Sequence, residues 1–315
     1  MSGAERASAP GVGRDAAGAA PTFSVVIPTH ESRDYVVAAI RSVLGQTDPD
    51  FEIVVIDNGS SDGTEEAVGA IGDPRIAYRW QEDSGLPADS RNRGIELCRG
   101  EWIAFLDADD EWKPDKLAAV RAAIQADSGV DIVCHDVEII DAGRMKTGKR
   151  AYRLDDRSSF EQLLYRGNFL STSATTVRAS AIRDAGGFDV RQEYFTVEDY
   201  DLWLRLARTG SRIAIVPRVL GSYLVHPGGA SNRLVRHYDA LMRVFDDRVT
   251  DAALAGDLDV DAAIARRRRS RLAEARDLGR RGALADAARI IAEIPREVAK
   301  ARARYEAALG EAGSA

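Results

Sequence analysis

Cysteine is almost absent: the 315 residues hold two, Cys98 and Cys134, each beside apolar neighbours. So few thiols exclude a disulfide framework and a cysteine-based zinc site, and predict buried free thiols in a reducing compartment. No window reaches the roughly 20 apolar residues that span a bilayer. Residues 1–21, MSGAERASAPGVGRDAAGAAP, lack both an apolar segment of signal-peptide length and any periodicity. They are expected to form a disordered arm rather than an address. Basic excess is missing too. The formal net charge of −7 excludes the footprint of a general nucleic-acid binder. No internal repeat is present. The remaining expectation is a soluble, cytoplasmic chain whose 45% hydrophobic content can bury a sizeable core.

What is present is alternation. FSVVIP (23–28) and FEIVVID (51–57) are continuous apolar runs, the pattern of strands buried on both faces. Between them, Tyr35 to Leu44 has helical spacing, with Ser32 as a candidate N-cap. DNGSSDGT supplies turn residues after the second strand, and Thr64 opens a helix with Glu65 and Glu66 in its first turn. RIAYRW (75–80), a helix over 90–100 and the strand EWIAFL (101–106) continue the series. Units of about thirty residues predict a doubly wound, mostly parallel α/β sheet. Beyond it the spacing predicts a helix over 114–126, a strand over 131–140, a polar loop AGRMKTGKR and a helix near 158–166. NFLSTSATTVR then reads as a strand, GGFD as a turn, 198–210 as a helix and RIAIVP as a strand. From about Leu234 the chain is Ala/Arg/Leu-rich without strand signals, a helical appendage in which Pro295 breaks or starts a helix. Ile291, Ile294, Val298, Ala301 and Tyr305 are placed on one face of it.

The segment LDADDEW (106–112) follows the strand WIAFL, so Asp107, Asp109 and Asp110 arrive at the sheet edge where open α/β folds bind ligands. Carboxylates this close raise one another's pKa unless a cation lies between them. Oxygen donors of this kind suit Mg²⁺ or Mn²⁺. For Asp110 and Glu111 a solvated turn at the N-terminus of the next helix stands level with a functional role. Asp57 ends the second strand in the same structural position as Asp107. An acid there commonly accepts a hydrogen bond from base or ribose, whereas local turn bonding suffices for Asn58 and Asp62.

SVVIPTHESRDYVVAAIRSVLGQT, FEIVVIDNGSSDGT, SGLPADSRNRG, GEWIAFLDADDEW and VEDYDLWLRLARTG, in that order, resemble family 2 glycosyltransferases of the GT-A fold. The resemblance covers roughly residues 22–230 and implies inverting transfer of a sugar from a nucleotide-sugar to an acceptor. It divides the chain into residues 22–112 as the nucleotide-sugar half, 113–230 as the acceptor half and 231–315 as a helical extension. Pro28, Thr29 and Glu31 would line the base and ribose pocket, although many relatives carry Asn at the position of Glu31. Asp57 would bond the nucleobase, and Arg91, with Asn92 beside it, would lie along the pyrophosphate; an ion pair is an equally simple account of Arg91. Asp107-Ala108-Asp109 would be the DxD motif, with Asp107 near ribose and metal and Asp109 on the metal. Asp199 matches the catalytic base, Glu198 supports the acceptor side, and Trp203 reads as core.

Inversion needs one base to take the acceptor proton, and a metal can stabilise the leaving diphosphate without a protein acid. First-turn helix acids are the competing account of Glu198 and Asp199. The resemblance also puts His226 near the metal or pyrophosphate, with Gly228, Gly229 and Ser231 offering backbone amides to phosphate oxygens. His30, His135 and His237 receive no role. Arg266 to Arg269, with Arg271, Arg276, Arg280 and Arg281, form either a solvated helix face or a contact with an anionic membrane surface. Expected partners are thus a nucleotide-sugar donor and a glycan or lipid-linked acceptor, with no nucleic acid and possible peripheral membrane contact through these helices. A sugar-phosphate nucleotidyltransferase would want a Gly-rich basic phosphate loop after the first strand, which PTHESRDY lacks. Paired glycosidase carboxylates would flank an open cleft rather than end strands. A non-catalytic nucleotide-sugar binding module is the other alternative, and it would not need Asp199.

Overall fold

The computed structural model describes residues 19–226 and 234–313; the arm over 1–18 and the Gly228, Gly229 and Ser231 positions lie outside the described residues. The apolar runs form the strands expected of them: β1 (Phe23–Thr29) and β2 (Phe51–Asn58), nearly every residue buried. Between them lies α1 (Arg33–Leu44), burying Val36, Ala39, Ile40 and Val43 at helical spacing. Ser32 does not cap this helix through its side chain; its hydroxyl donates to the His30 carbonyl instead. Next come α2 (Thr64–Gly69) and β3 (Ile76–Gln81). The helix α3 (Pro87–Leu97) starts earlier than its polar sequence suggests, because Pro87 sits in the first turn, where a missing N–H costs nothing.

Then follow β4 (Trp102–Phe105), β5 (Glu111–Trp112), α4 (Lys116–Ala126) and β6 (Ile132–Asp141). The expected polar loop after β6 contains a strand, β7 (Lys146–Arg150). It pairs only with β6, so KTGKR carries no apolar alternation to announce it. The helix α5 (Ser159–Arg166) opens with a capping box between Ser158 and Glu161. NFLSTSATTVR is only partly extended: Thr172–Ala174 is a 3₁₀ turn, and β8 is confined to Thr175–Arg178. Then come α6 (Ala179–Asp184), α7 (Glu198–Arg208) and β9 (Ile213–Val225). The tail contains α8 (Leu234–Leu254), α9 (Val260–Arg280) and α10 (Leu284–Ala312).

The chain divides into two compact units. The first, which among the described residues takes in 19–153, 170–188 and 211–226, holds the whole sheet, ordered β3-β2-β1-β4-β8-β6-β9-β5 with β7 beside β6. The pairs β1–β2, β1–β4, β2–β3 and β6–β9 run parallel. The pairs β4–β8, β6–β8, β6–β7 and β5–β9 run antiparallel. Its core packs Phe23, Val25, Ile27, Ile53 and Val55 against α1, Trp102 and Leu117. Burial of such side chains contributes roughly 1.5–3 kcal/mol each. Gly94 of α3 has no room for a side chain, since a Cβ there would lie 2.4 Å from Val26 Cγ1.

The second unit joins residues 154–169 and 189–210 to the tail helices from residue 234. Part of the Arg run is paired here, while Arg268, Arg276, Arg280 and Arg281 are exposed. Arg269 donates to the Tyr165 carbonyl at 2.6 Å, Arg267 pairs with Asp246, and Arg271 bonds Glu297 at 2.9 and 3.0 Å. Consecutive helical residues point about 100° apart, so the run cannot form one face. Helix α10 passes through Pro295 without ending. Ala287, Ile290, Ile294, Ala301 and Tyr305 bury one stripe and hold it, while Ile291, placed on that stripe from sequence, is exposed. Among the described residues no helix is long and apolar enough to cross a membrane.

Candidate active site

Strands β2 and β4 flank β1, so Asp57 and Asp107 leave the same edge of the sheet two strand spacings apart, about 10 Å. Thr29 pairs with Asp57 in register, which sets both side chains on one face of the sheet. Thr29 is buried, and its hydroxyl finds no partner among the described residues. Pro28, one residue earlier, is half-buried and faces the other way.

Asp57 is buried and accepts from the Ser60 N–H at 2.8 Å and the Tyr78 hydroxyl at 2.5 Å. Burial first, and then the Asp57 carboxylate, push the Tyr78 hydroxyl well above its usual pKa. Sequence reasoning missed Tyr78. The available signal was register: β2 and β3 are parallel, with Val55 opposite Tyr78 and Asp57 opposite Trp80, so Tyr78 lies on the face of Asp57.

Glu31 adopts a positive φ of 46°, uncommon for a residue with a Cβ. Its carboxylate accepts from the Ser61 N–H at 2.7 Å and hydroxyl at 2.9 Å, while its own N–H donates to Ser60 Oγ. Asp62 adds a bond from the Arg33 N–H at 2.9 Å. Glu31 thus stitches the loop after β1 to the loop after β2. Asn58 and Asp62 serve loop chemistry as expected: Asn58 donates to Asp83, and Asp62 accepts from Thr64.

Asp107 ion-pairs with Arg91 of α3 at 2.7 Å, and that guanidinium also lies over the Phe188 ring. The ion-pair account of Arg91 is therefore realised. Asn92 holds the loop beyond α6, its amide donating to the Phe188 carbonyl and accepting from the Phe188 N–H. Ala108 turns into the hydrophobic core, so only its backbone remains on the ligand side. Asp109 is 3.0 Å from His226 Nε2, and the His226 ring packs against Tyr35. Burial, and next the charge of Asp107, raise the Asp109 carboxyl above the ordinary range.

Asp110 is not at a helix N-terminus. Glu111–Trp112 is a strand against β9, α4 begins only at Lys116, and Asp110 is buried with its carboxyl accepting from the Leu224 N–H at 2.9 Å. Burial, then Asp109 and Asp107, push its carboxyl well up.

Among the described residues no group of three or more His, Cys, Asp or Glu side chains is arranged to hold a metal ion. With Asp107 engaged by Arg91, the protein offers the Asp109–His226 pair. Asp109 and His226 are the residues that would hold a Mg²⁺ or Mn²⁺ ion, whose charge would offset the burial and the Asp107 charge that raise Asp109. A hollow of about 470 Å³ between α1 and Trp112 includes none of these residues.

In the second unit, Asp199 is half-buried in the first turn of α7, accepting from the Tyr200 N–H at 2.6 Å and the Asn168 amide at 3.3 Å. Glu198 is buried beside it, and Trp203 is wholly buried, as expected of core.

A parallel nucleotide-type half, continued by a mixed sheet and carrying acids at the ends of β2 and β4, defines a GT-A glycosyltransferase. The model of the family described as Glycosyl transferase family 2 matches residues 24–186, and the chain belongs to that family. It is 32% identical to a PGL/p-HBAD biosynthesis glycosyltransferase of Mycobacterium bovis over 222 residues, covering 69% of this chain and 82% of that protein. It is 38% identical to the putative teichuronic acid biosynthesis glycosyltransferase TuaG of Bacillus subtilis over 99 residues, 31% of this chain and only 39% of TuaG. Among solved structures, S. aureus TarS 1–349 with UDP-GlcNAc superposes with a TM-score of 0.61 at 18% identity, over 91% of this chain and 89% of that one. The mannosyltransferase PcManGT of Pyrobaculum calidifontis, solved with GDP-Man and Mn²⁺, gives 0.52 at 20% identity, over 93% and 87%. At such identities these two likenesses speak to the fold alone.

Proposed function

We propose that this chain transfers a sugar, with inversion, from a UDP- or dTDP-sugar to a hydroxyl of a glycan, lipid-linked or small-molecule acceptor, in cell-envelope polysaccharide or glycoconjugate assembly. The observation that carries the reading is the set of side chains at one sheet edge: Thr29 and Asp57 for the base, Arg91 and Asp107 beside them, and the Asp109–His226 pair. The relatives' names support the biosynthetic setting, since they speak of teichuronic acid, amylovoran and PGL/p-HBAD. Asp57, an acceptor held by two donors, suits the imide N–H of uracil or thymine, and Thr29 adds an unengaged hydroxyl on the same face. Arg91 is placed to exchange part of its pairing with Asp107 for a donor phosphate oxygen. Asp109 and His226 would hold a divalent cation, which when bound stabilises charge on the departing diphosphate. Asp199 would take the proton from the acceptor hydroxyl as that oxygen attacks the anomeric carbon. One carboxylate outside the metal pair meets the requirement, because the leaving group needs no protein acid.

A thermal-shift panel of nucleoside diphosphates with and without Mn²⁺ tests the donor side, since a ligand bound only to the folded state raises the melting temperature. UDP or dTDP is expected to stabilise only with the cation, and the effect to vanish in Asp109→Ala. Equal stabilisation after chelation would overturn the metal role. Asp199→Asn is expected to abolish turnover while leaving donor binding intact. Retained turnover would leave a binding module as the better reading.

A further inference from the structure

Three acids follow β4 within four residues, and the structure separates the last of them from the others. Asp107 faces Arg91 and Asp109 faces His226, both partly open, whereas Asp110 is 2% exposed. One oxygen of its carboxyl accepts the Leu224 N–H at the end of β9 at 2.9 Å, two residues before His226, and the other is buried with no hydrogen-bond partner among the described residues. The 3₁₀ turn Thr172–Ala174 lies against the same acid turn through Ser173.

Ser173 is itself a junction. Its hydroxyl oxygen accepts the Asp107 N–H at 3.1 Å, and its carbonyl accepts the Trp112 indole N–H at 2.7 Å. The Asp110 N–H closes the turn on the Asp107 carbonyl at 3.1 Å. The turn carrying Asp107 and Asp109 is thereby bonded at both ends to Ser173, and through Asp110 to the strand that delivers His226.

We infer that Asp110 and Ser173 are positioning residues that set the distance between Asp109 and His226, and that Asp110 is not itself a metal ligand. The inference rests on the proposed metal role of that pair. The Asp109 and His226 side chains come from segments 117 residues apart, and their contact at 3.0 Å needs both segments fixed against a common support. The Asp-Ala-Asp spacing does not reach β9; β5 and β6 pair with that strand, and the Asp110–Leu224 bond ties the acid turn itself to it two residues before His226. Outer partners of this kind typically change metal affinity by about 10–100-fold when lost.

The test titrates Mn²⁺ into the full chain in excess UDP and reads the half-saturating concentration from the thermal shift. Wild type, Asp110→Ala, Asp110→Asn and Ser173→Ala are compared, each with its metal-free melting temperature. Asp110→Ala is expected to raise the half-saturating Mn²⁺ at least about tenfold, and Ser173→Ala to raise it by a smaller factor. Asp110→Asn keeps an oxygen for the Leu224 N–H and should restore it to within about threefold, a rescue that general destabilisation would not produce. If Asp110→Ala does not fold, Asp110→Asn and Ser173→Ala carry the comparison. Unchanged Mn²⁺ response in Asp110→Ala or, where it does not fold, in Ser173→Ala overturns the inference alone. So does an Asp110→Asn variant that loses the response, because Asp110 would then be acting through its charge on the ion. A wild type indifferent to Mn²⁺ overturns the metal reading and this inference with it.

Discussion

Tyr78→Phe removes a single oxygen from the candidate base pocket, and its cost can be worked from the contacts. The Tyr78 hydroxyl donates to Asp57 Oδ2 at 2.5 Å, and among the described residues the other donor to this buried carboxylate is the Ser60 N–H. Phenylalanine fills the same volume, so no cavity opens and the loss is confined to one hydrogen bond to a charged group. Such bonds contribute about 1.5–3 kcal/mol, more than a neutral pair, because the carboxylate stays buried with a lone pair unmet. At about 2–4 °C per kcal/mol for chains near this size, the melting temperature should fall by roughly 3–12 °C. A double-mutant cycle in urea with Asp57→Asn isolates the pair. The two substitutions should be non-additive by at least about 1 kcal/mol, since once either partner is changed the other has less to lose. Nucleotide binding should weaken in Tyr78→Phe as well, because Asp57 loses the group that fixes its orientation. Additive energies within about 0.3 kcal/mol, with unchanged nucleotide affinity, would refute this account of Asp57.

His135 gives a signed pH dependence. It is wholly buried in β6, and desolvation first, then the nearby Lys116 charge, depress its pKa to about 3. The unfolded chain takes up this proton near pH 6.5 and the folded one only near 3, so the contribution is complete above 6.5 and lost as pH falls toward 3. Between pH 7 and 5 the loss should be about 2 kcal/mol. Urea midpoints of His135→Gln should fall less over that range than those of wild type; parallel curves would contradict the assignment. The thiols give a simpler check. Burial pushes Cys98 and Cys134 up to about 12, so neither should react with Ellman's reagent at pH 8 in the native protein, and both should after denaturation. Fast labelling of the folded chain would show that one of them is exposed.

The sequence by itself determined the sheet's first half and the order of its acids. Apolar-rich runs such as Phe23–Pro28 and Phe51–Ile56 can satisfy backbone and side chains together only as strands buried on both faces, and the turn after the second needs the Asp, Asn and Gly it carries. That logic holds within a few residues of chain, which is why β1, β2 and β3 were legible and β7, an edge strand without apolar alternation, was not. Long-range partners were decided only by the tertiary structure. It took parallel register to bring Tyr78 to Asp57, the return of β9 to bring His226 to Asp109, and the 3₁₀ turn to put Ser173 beneath the acid turn. The same holds for Asp110, which reads as a solvated helix start and is a buried tie to Leu224. It holds for some arginines of α9 too: Arg267 and Arg271 pair with Asp246 and Glu297 and Arg269 bonds the Tyr165 carbonyl, partners that no local spacing names. Local spacing specifies a side chain's chemistry and its element, but the partner that sets its charge and orientation arrives from tens to more than a hundred residues away, and only chain folding selects it.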